Sequence, residues 1–435
     1  MSDPHRIVIV GGGAGGLELA TRLGNRLGRR GRADITLIDA SLRHIWKPLL
    51  HEVAAGTLDS HEDDIEFLAQ GHWHHFRFRV GRMDQVDRQR KVVSLAPTVD
   101  ENGELIIPRR EFPYDTLVIA VGSVSNDFGI PGVREHCIFL DTLEQAETFN
   151  DILMKRCFQA HTIGKKLRIA IAGAGATGIE LAAELHEAVR ALASFGLDAL
   201  NPEEDVAITI IEAAPRILPA LPDRLADATL RALEGIGVEV RTGERITEAR
   251  ADGFTTDQGH FIPANLMVWA AGIKAPDFLA GIEGLETNPI NQLVVHPTLQ
   301  TTGDPDIFAF GDCAACPMPG TGQNVPPRAQ AAHQQASLLY RSIRRRLKGK
   351  PLPEYRYVDY GSLVNLSRYT TVGNLMGNLL GRWSGSVMLE GVIARLIYLS
   401  LYKMHLLAVN GWWRTTLMTL ADLLIRRHRP PLKLH

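Results

Sequence analysis

The sequence is poor in cysteine: Cys137, Cys157, Cys313 and Cys316 are the only four in 435 residues. Four thiols at these spacings build no disulfide framework, and nothing at the N-terminus carries the charged start and apolar centre of a secretory signal. The expectation is a reducing, cytoplasmic compartment. Long apolar runs are lacking too. No uncharged apolar stretch reaches the roughly 18 residues that a spanning helix needs. An excess of one charge is absent: 47 Lys and Arg stand against 49 Asp and Glu, for a net charge of −2, so nucleic acid is not expected as a partner. Clusters at metal-ligand spacing are scarce as well. The one histidine-dense patch, His72, His74 and His75 around Trp73, has no second ligand set nearby and reads as a polar loop. What remains, 45% hydrophobic and 22% charged, is a globular chain long enough for two or three domains.

Glycine, in contrast, is placed with purpose. Residues 7–10 (IVIV) are an unbroken apolar run of the kind that becomes a buried parallel strand, and residues 17–23 open a helix. Between them Gly11, Gly13 and Gly16 stand in G-x-G-x-x-G spacing. The first glycine permits the tight turn, the second admits a pyrophosphate against the backbone, and the third lets helix and strand pack closely. Phosphates then rest on the helix N-terminus. A second strand, residues 34–38 (DITLI), ends at Asp39, where a carboxylate accepts hydrogen bonds from a ribose. The motif returns. Residues 167–172 (LRIAIA) lead into Gly173, Gly175 and Gly178, a helix over 179–192, and a strand at 207–211 that ends at Glu212. The longer spacing to this acid predicts an inserted loop over 195–205. Two such sites in one chain imply two dinucleotides facing each other, as in a flavoprotein that takes hydride from a nicotinamide cofactor.

Residues 41–60, after the first ribose acid, contain no cysteine, which speaks against a dithiol reductase of the glutathione-reductase kind. Residues 114–122 (YDTLVIAVG) read as a strand with a second backbone approach to the flavin dinucleotide. Residues 266–272 (LMVWAAG) echo them in the second half. Pro131–Gly132 marks the crossover between the halves. Residues 306–312 (DIFAFGD) return to the first half and aim Asp312 at the flavin's ribityl chain, and residues 313–347 are expected to form the helix that follows, starting at Cys313. Cys313 and Cys316 form a C-x-x-C there. It reads either as a dithiol or Cu(I) site, since soft thiolates suit copper, or as buried small residues at a helix start. The second reading is favoured, and no metal site is expected. In residues 329–336 (AQAAHQQA), Gln330 and Gln334 share a helix face, with His333 beside them; both amides can meet the carbonyl of a quinone. Residues 391–435 then carry seven Lys and Arg against the single acid Asp422, with apolar residues at helical spacing (Leu406, Val409, then Leu417, Leu420, Leu424) and Trp412–Trp413 between. Basic charge, an apolar stripe and paired tryptophans predict helices lying in a membrane interface, the alternative being a helical dimerisation module.

These motifs, with WKPLLHEVAAG, AGATGIELAAELH, VWAAGIKAPDFL, GDCAACP, PPRAQAAHQ and the terminal LKLH, resemble the type II NADH dehydrogenases, the single-subunit NADH:quinone oxidoreductases of respiratory membranes. The resemblance spans essentially the whole chain. It implies an α/β fold of two Rossmann-like dinucleotide-binding domains with a C-terminal amphipathic helical membrane-binding region. The implied domains are 1–135 and 291–350 for FAD, 136–290 for NADH, and 351–435 for the membrane. Non-covalent FAD would be held by Gly11, Gly13, Ala14, Gly15, Gly16 and Asp39, by Met83, Ala120, Gly122, Gly311 and Asp312, and by Ala329 and Gln330, with Lys47 and Pro48 near the ring. NADH would take Gly173, Gly175, Ala176, Thr177, Gly178 and Glu212, with Ala271 and Gly272 close to the nicotinamide. Glu180 corresponds to a family glutamate near the nicotinamide. Gln330, His333 and Gln334 would border the quinone pocket.

The implied activity passes hydride from NADH to FAD and two electrons on to ubiquinone or menaquinone, without proton pumping. Glu180, Gln330 and Gln334 are the implied catalytic set. The implied place is the cytoplasmic face of a bacterial inner membrane, peripheral, with a homodimer as a further expectation. Glu212 favours NADH over NADPH because a carboxylate repels a 2′-phosphate, while Arg216, four residues on, would weaken that preference unless it is a plain surface residue. Rival readings are a sulfide:quinone oxidoreductase, a ferredoxin-type FAD/NADH reductase, and a slow NADH-sensing scaffold of the apoptosis-inducing-factor kind.

Overall fold

A computed structural model describes residues 3–60, 64–100, 102–366, 370–376, 386–390 and 392–425. In chain order its main elements are β1 (His5–Val10), α1 (Ala14–Arg26), β2 (Ala33–Asp39), α2 (Leu50–Ala55), β3 (Arg77–Val80), β4 (Thr116–Ile119), α3 (Leu143–Ile163), β5 (Leu167–Ala172), α4 (Ala176–Ser194), β6 (Val206–Glu212), α5 (Asp223–Gly235), β7 (Glu239–Thr242), β8 (Leu266–Trp269), β9 (Asp304–Ala309), α6 (Ala329–Arg346) and α7 (Val392–Ile425). They divide into two compact units. The first comprises residues 1–46, 64–124 and 273–358; the second comprises 47–63, 125–272 and 359–435.

The first unit is built on a six-stranded sheet in the order 300–301, β9, β4, β1, β2, β3. All its long pairings are parallel, and only the edge strand 300–301 runs antiparallel. Apolar runs on both faces explain this. Residues 7–10 of β1 and all of β4 are buried, as strands covered on both sides must be. Helices α1 and α6 pack side by side on this unit.

The second unit repeats the plan with the parallel order 138–139, β8, β5, β6, β7. Phe254 and Trp269 meet in its core, with rings 6.4 Å apart. Helix α2 packs on α3 and α4. A three-stranded antiparallel sheet, 362–366, 370–376 and 386–390, follows α6 and packs on α4, α5 and α7. The fold is the expected α/β arrangement of two dinucleotide-binding units.

Several details differ from the sequence reading. The units part at 124/125 and 272/273 rather than at 135 and 290, and residues 47–63 and 359–435 fall with the second unit. The cause is α2, whose apolar face is buried against α3 and α4. No helix starts at Cys313. Gly311–Cys313 is a single 3-10 turn, and the helix begins at Ala329, because Pro317, Pro319, Pro326 and Pro327 interrupt any earlier start. The inserted loop before Glu212 contains a short helix of its own, Pro202–Asp205. His72 and His74 lie on a helix, Phe67–His74, that ends at left-handed His75 (φ 58°). Among the described residues no group of three or more His, Cys, Asp or Glu could hold a metal ion.

Helix α7 breaks at Gly411 (φ 77°, ψ 164°), so the C-terminal region is two helical segments with Trp412–Trp413 at the join. Leu406 and Val409 are buried. Trp412, Trp413, Leu417, Leu420 and Leu424 stand exposed. Among the described residues no helix is long and apolar enough to cross a membrane. Arg426, Arg427, Arg429, Lys433 and the terminal LKLH lie outside the described residues.

Candidate functional site

The turn after β1 shows why glycine is required. A Cβ on Gly11 (φ +102°) would lie 2.2 Å from the carbonyl oxygen of Ala120, and one on Gly16 would lie 1.9 Å from the carbonyl oxygen of Gly11. The close packing of β1, β4 and α1 leaves no room for either. Gly13, between them, faces open space with nothing within 4 Å. No side chain caps the N-terminus of α1, so its first N–H groups are left for an anion. At the end of β2, Asp39 Oδ2 accepts a hydrogen bond from the Gly12 amide (2.6 Å), and Oδ1 accepts from Ser41 (2.8 Å). Burial pushes the Asp39 carboxyl above its usual range, against these hydrogen bonds. An open glycine, an uncapped helix start and a carboxylate at the neighbouring strand end suit a dinucleotide's pyrophosphate and ribose.

The other candidates of the first unit lie after β4 and β9 and at the start of α6, with Ala120 against Gly11. Ala120 and Gly122 follow β4, and Met83 is buried. Asp312 Oδ2 accepts from the Ser123 hydroxyl (2.9 Å), and its backbone carbonyl accepts from Gln292 (2.9 Å). Gln335, which the sequence reading passed over, accepts from the Gly311 amide at 2.8 Å. Its neighbours Gln330 and Gln334 drew attention by their spacing, and nothing in the sequence marked Gln335 apart. Lys47 and Pro48 are placed in the second unit, where Lys47 pairs with Asp141 at 3.1 Å.

The second unit rebuilds the geometry. A Cβ on Gly178 would meet the Gly173 carbonyl oxygen at 2.1 Å, Gly175 is open, and α4 starts without a side-chain cap. Glu212 accepts from Ala174 (2.7 Å) through Oε2 and from Ala214 (2.8 Å) through Oε1. Ala176, Thr177 and Glu180 lie on the first turns of α4, and Ala271–Gly272 follow β8. Arg216 is turned into its own loop, where it pairs with Asp223 (2.8 Å) and donates to the Pro219 carbonyl (3.0 Å).

The three side chains proposed for quinone part company. Gln334 is committed at both ends of its amide: Nε2 donates to the Val358 carbonyl (2.7 Å), and Oε1 accepts from the Val358 amide (3.1 Å) and the Tyr355 hydroxyl (3.2 Å). His333 turns toward α1, with Nδ1 2.7 Å from Glu18 Oε2; Glu18 also holds Arg22 at 2.7 Å. Its hydrogen bond with His333 is the largest of the effects that lower the Glu18 carboxyl pKa, and they outweigh the opposing effect of burial. Gln330 lies on the first turn of α6. The adjacency on one helix was legible, but the irregular segment 355–358 that takes up Gln334 was not. Cys313 and Cys316 are buried free thiols, both pushed up to about 12 by burial. Cys313 points its sulfur at the carbonyls of Ile119 and Phe310. Both thiols are buried, as the small-residue reading has them, but at a 3-10 turn and the residues after it rather than at a helix start.

The profile of the pyridine nucleotide-disulphide oxidoreductase family matches residues 5–336. A type II NADH:quinone oxidoreductase of Haemophilus influenzae is 44% identical over 99% of both chains. The chain belongs to the type II NADH:quinone oxidoreductase family. A Staphylococcus aureus enzyme of the same description is 28% identical over 91% of this chain and 96% of its own. Among solved structures, NDH2 from Plasmodium falciparum in complex with NADH superposes with a TM-score of 0.79 at 20% identity, covering 99% of this chain and 100% of that one. The sulfide:quinone oxidoreductase of Aquifex aeolicus shares the fold at 17% identity, with a TM-score of 0.72, 99% of this chain and 96% of its own.

Proposed function

We propose that this chain oxidises NADH and reduces a membrane quinone, with FAD held in the first unit and NADH in the second. The observation that carries the reading is the doubled nucleotide geometry: two uncapped helix starts, each with an open glycine and a carboxylate at the adjacent strand end. FAD, when bound, supplies the two-electron chemistry that links a hydride donor to a quinone. The chain's own residues bind and orient. The N–H groups opening α1 and α4 take the two pyrophosphates, each such helix-end contact being worth about 0.3–1 kcal/mol. Asp39 and Glu212 accept from the riboses, and Glu212 repels a 2′-phosphate. Glu180, buried on the first turns of α4, is the acidic side chain we place near the nicotinamide. Gln330, on the first turn of α6, is the amide of the AQAAHQ stretch that we assign to quinone.

The exposed face of α7 supports peripheral attachment. Its exposed Trp412, Trp413, Leu417 and Leu420 suit the interface of a lipid bilayer, and the Lys and Arg of this region add attraction to anionic lipid of about 1 kcal/mol each. We place the protein on the cytoplasmic face of the inner membrane, without proton pumping, and as a homodimer. Steady-state NADH oxidation with a short-chain ubiquinone tests the activity. Quinone-dependent turnover is expected; NADH oxidation that ignores quinone would overturn it.

A further inference from the structure

Two buried glutamines of the first unit reach the same short turn, and neither has a part in the account above. Gln335 shares the buried face of α6 with Ala331, Ala336, Leu338 and Leu339, and is 1% exposed. An amide in such a place costs stability unless it is bonded, and an apolar side chain would fill the space without that cost. Its bond is to the turn after β9: Oε1 accepts from the Gly311 amide at 2.8 Å. The second glutamine comes from another segment. Leu293–Val294 pairs in parallel with Ala314–Ala315, a register that brings Gln292 beside the turn. Gln292, also buried, donates through Nε2 to the Asp312 carbonyl at 2.9 Å. Asn288 sets which way that amide points. Its Nδ2 donates to Gln292 Oε1 (2.8 Å), and its Oδ1 accepts from the Gln292 backbone amide (2.9 Å). A third tie comes from the exit of β4, where the Ser123 hydroxyl donates to Asp312 Oδ2 at 2.9 Å. The dipeptide Gly311–Asp312 is thus held at its leading N–H, at its trailing carbonyl and at its carboxylate, by three separate segments of one unit.

We propose that Gln335 and Gln292 are positioning residues for FAD, which act through Asp312 by fixing where its carboxylate faces. The inference rests on the reading that FAD occupies the first unit beside Asp312, and deepens it. The physical reason lies in Gly311. It sits at φ +75°, and a glycine is free to take many other backbone conformations. Each rotation there would swing the Asp312 side chain. The Gln335 and Gln292 hydrogen bonds lie on either side of that rotation and oppose it, and every partner in the clamp is a protein group. An acceptor fixed in advance loses less conformational freedom when its ligand binds, and the ligand binds more tightly for it. Neither glutamine need touch the cofactor.

The test reads FAD affinity rather than turnover. Full-length holoprotein is dialysed against graded free FAD, and bound flavin is followed by its visible absorbance. Gln335→Leu, which fills the space and removes the acceptor, is expected to raise the FAD Kd about tenfold. Gln335→Glu keeps a carboxyl oxygen for the Gly311 amide and is expected to stay within about threefold of wild type. Added to Asp312→Ala, Gln335→Leu is expected to change the Kd by less than about twofold, since the residue through which it acts is gone. Gln292→Leu is expected to behave as Gln335→Leu does in both backgrounds, and it carries the same comparison if Gln335→Leu does not fold. A folded leucine variant with the wild-type Kd, or one whose loss is undiminished in the Asp312→Ala background, overturns the proposal; a glutamine that only supports the fold would give that result. A wild type that binds no FAD is a different outcome, and overturns the reading of the first unit itself.

Discussion

Asp115 shows how a single residue ties the sheet of the first unit. Its carboxylate receives both the Arg6 amide (2.8 Å) and the Arg6 guanidinium (2.7 Å), joining β1 to the start of β4. The Arg6 guanidinium, with its hydrogen bond, holds the carboxyl down at about 2. A depressed folded pKa means stability that is present above the unfolded value of about 3.9 and is lost as pH falls through about 2. Both side chains are more than a third exposed, so solvent screening keeps the gain small. Asp115→Asn is expected to lower the calorimetric Tm at pH 7 and to match wild type at pH 2. Glu212 gives a second residue-scale test. Glutamine there retains one acceptor for Ala174 or Ala214 and removes the charge. The NADH-over-NADPH ratio of kcat/KM should fall by about tenfold, equivalent to ~1.4 kcal/mol. A larger swing is not expected, because Arg216 is occupied by Asp223 and Pro219. At this scale the sequence spoke clearly for the tight glycine turns and for the two acids at the strand ends, whose placement follows from covalent geometry and spacing. It was silent on Gln335, whose part depends on which way α6 rolls.

Among the elements, α6 was the hardest to read and has the most to test. Its glutamines lie at helical spacing, and spacing alone does not say which face meets protein. The structure turns Gln334 to the segment 355–358 and His333 to Glu18 of α1. Gln334→Ala removes three hydrogen bonds and should destabilise the fold by about 1–3 kcal/mol, seen as a lower urea midpoint, with the quinone KM of the folded enzyme unchanged. A raised quinone KM with unchanged stability would return Gln334 to the quinone site. The helix start was misplaced for a plain reason: the prolines between 317 and 327 weigh more than the apolar pattern that surrounds them. The βαβ elements were legible because their strands are apolar on both faces and their turns leave no alternative to glycine. The small three-stranded sheet at 362–390 escaped, since its strands are short and follow a stretch rich in basic residues and proline.

For the whole molecule, the proposed function gives nucleotide binding to the two units and membrane attachment to the C-terminal region. The duplicated plan was visible because each motif came with its own strand, helix and acid. The division of the chain between units was not, since α2 joins the second unit by packing that no local pattern announces. Membrane attachment belongs to this scale. The double variant Trp412→Ser, Trp413→Ser removes two exposed rings at the break in α7 and leaves buried Leu406 and Val409 in place. Cosedimentation with anionic phospholipid vesicles is expected to drop while NADH oxidation with a water-soluble quinone persists. Vesicle binding that survives unchanged would move the attachment elsewhere. The central claim, that one chain joins a hydride donor to a quinone, is tested most directly without oxygen. Detergent-purified holoprotein is mixed with NADH in a stopped-flow instrument, the flavin's visible band is followed, and short-chain ubiquinone is then added. The account predicts fast bleaching by NADH and fast recovery with quinone. Bleaching without recovery, or none with NADH, would contradict it.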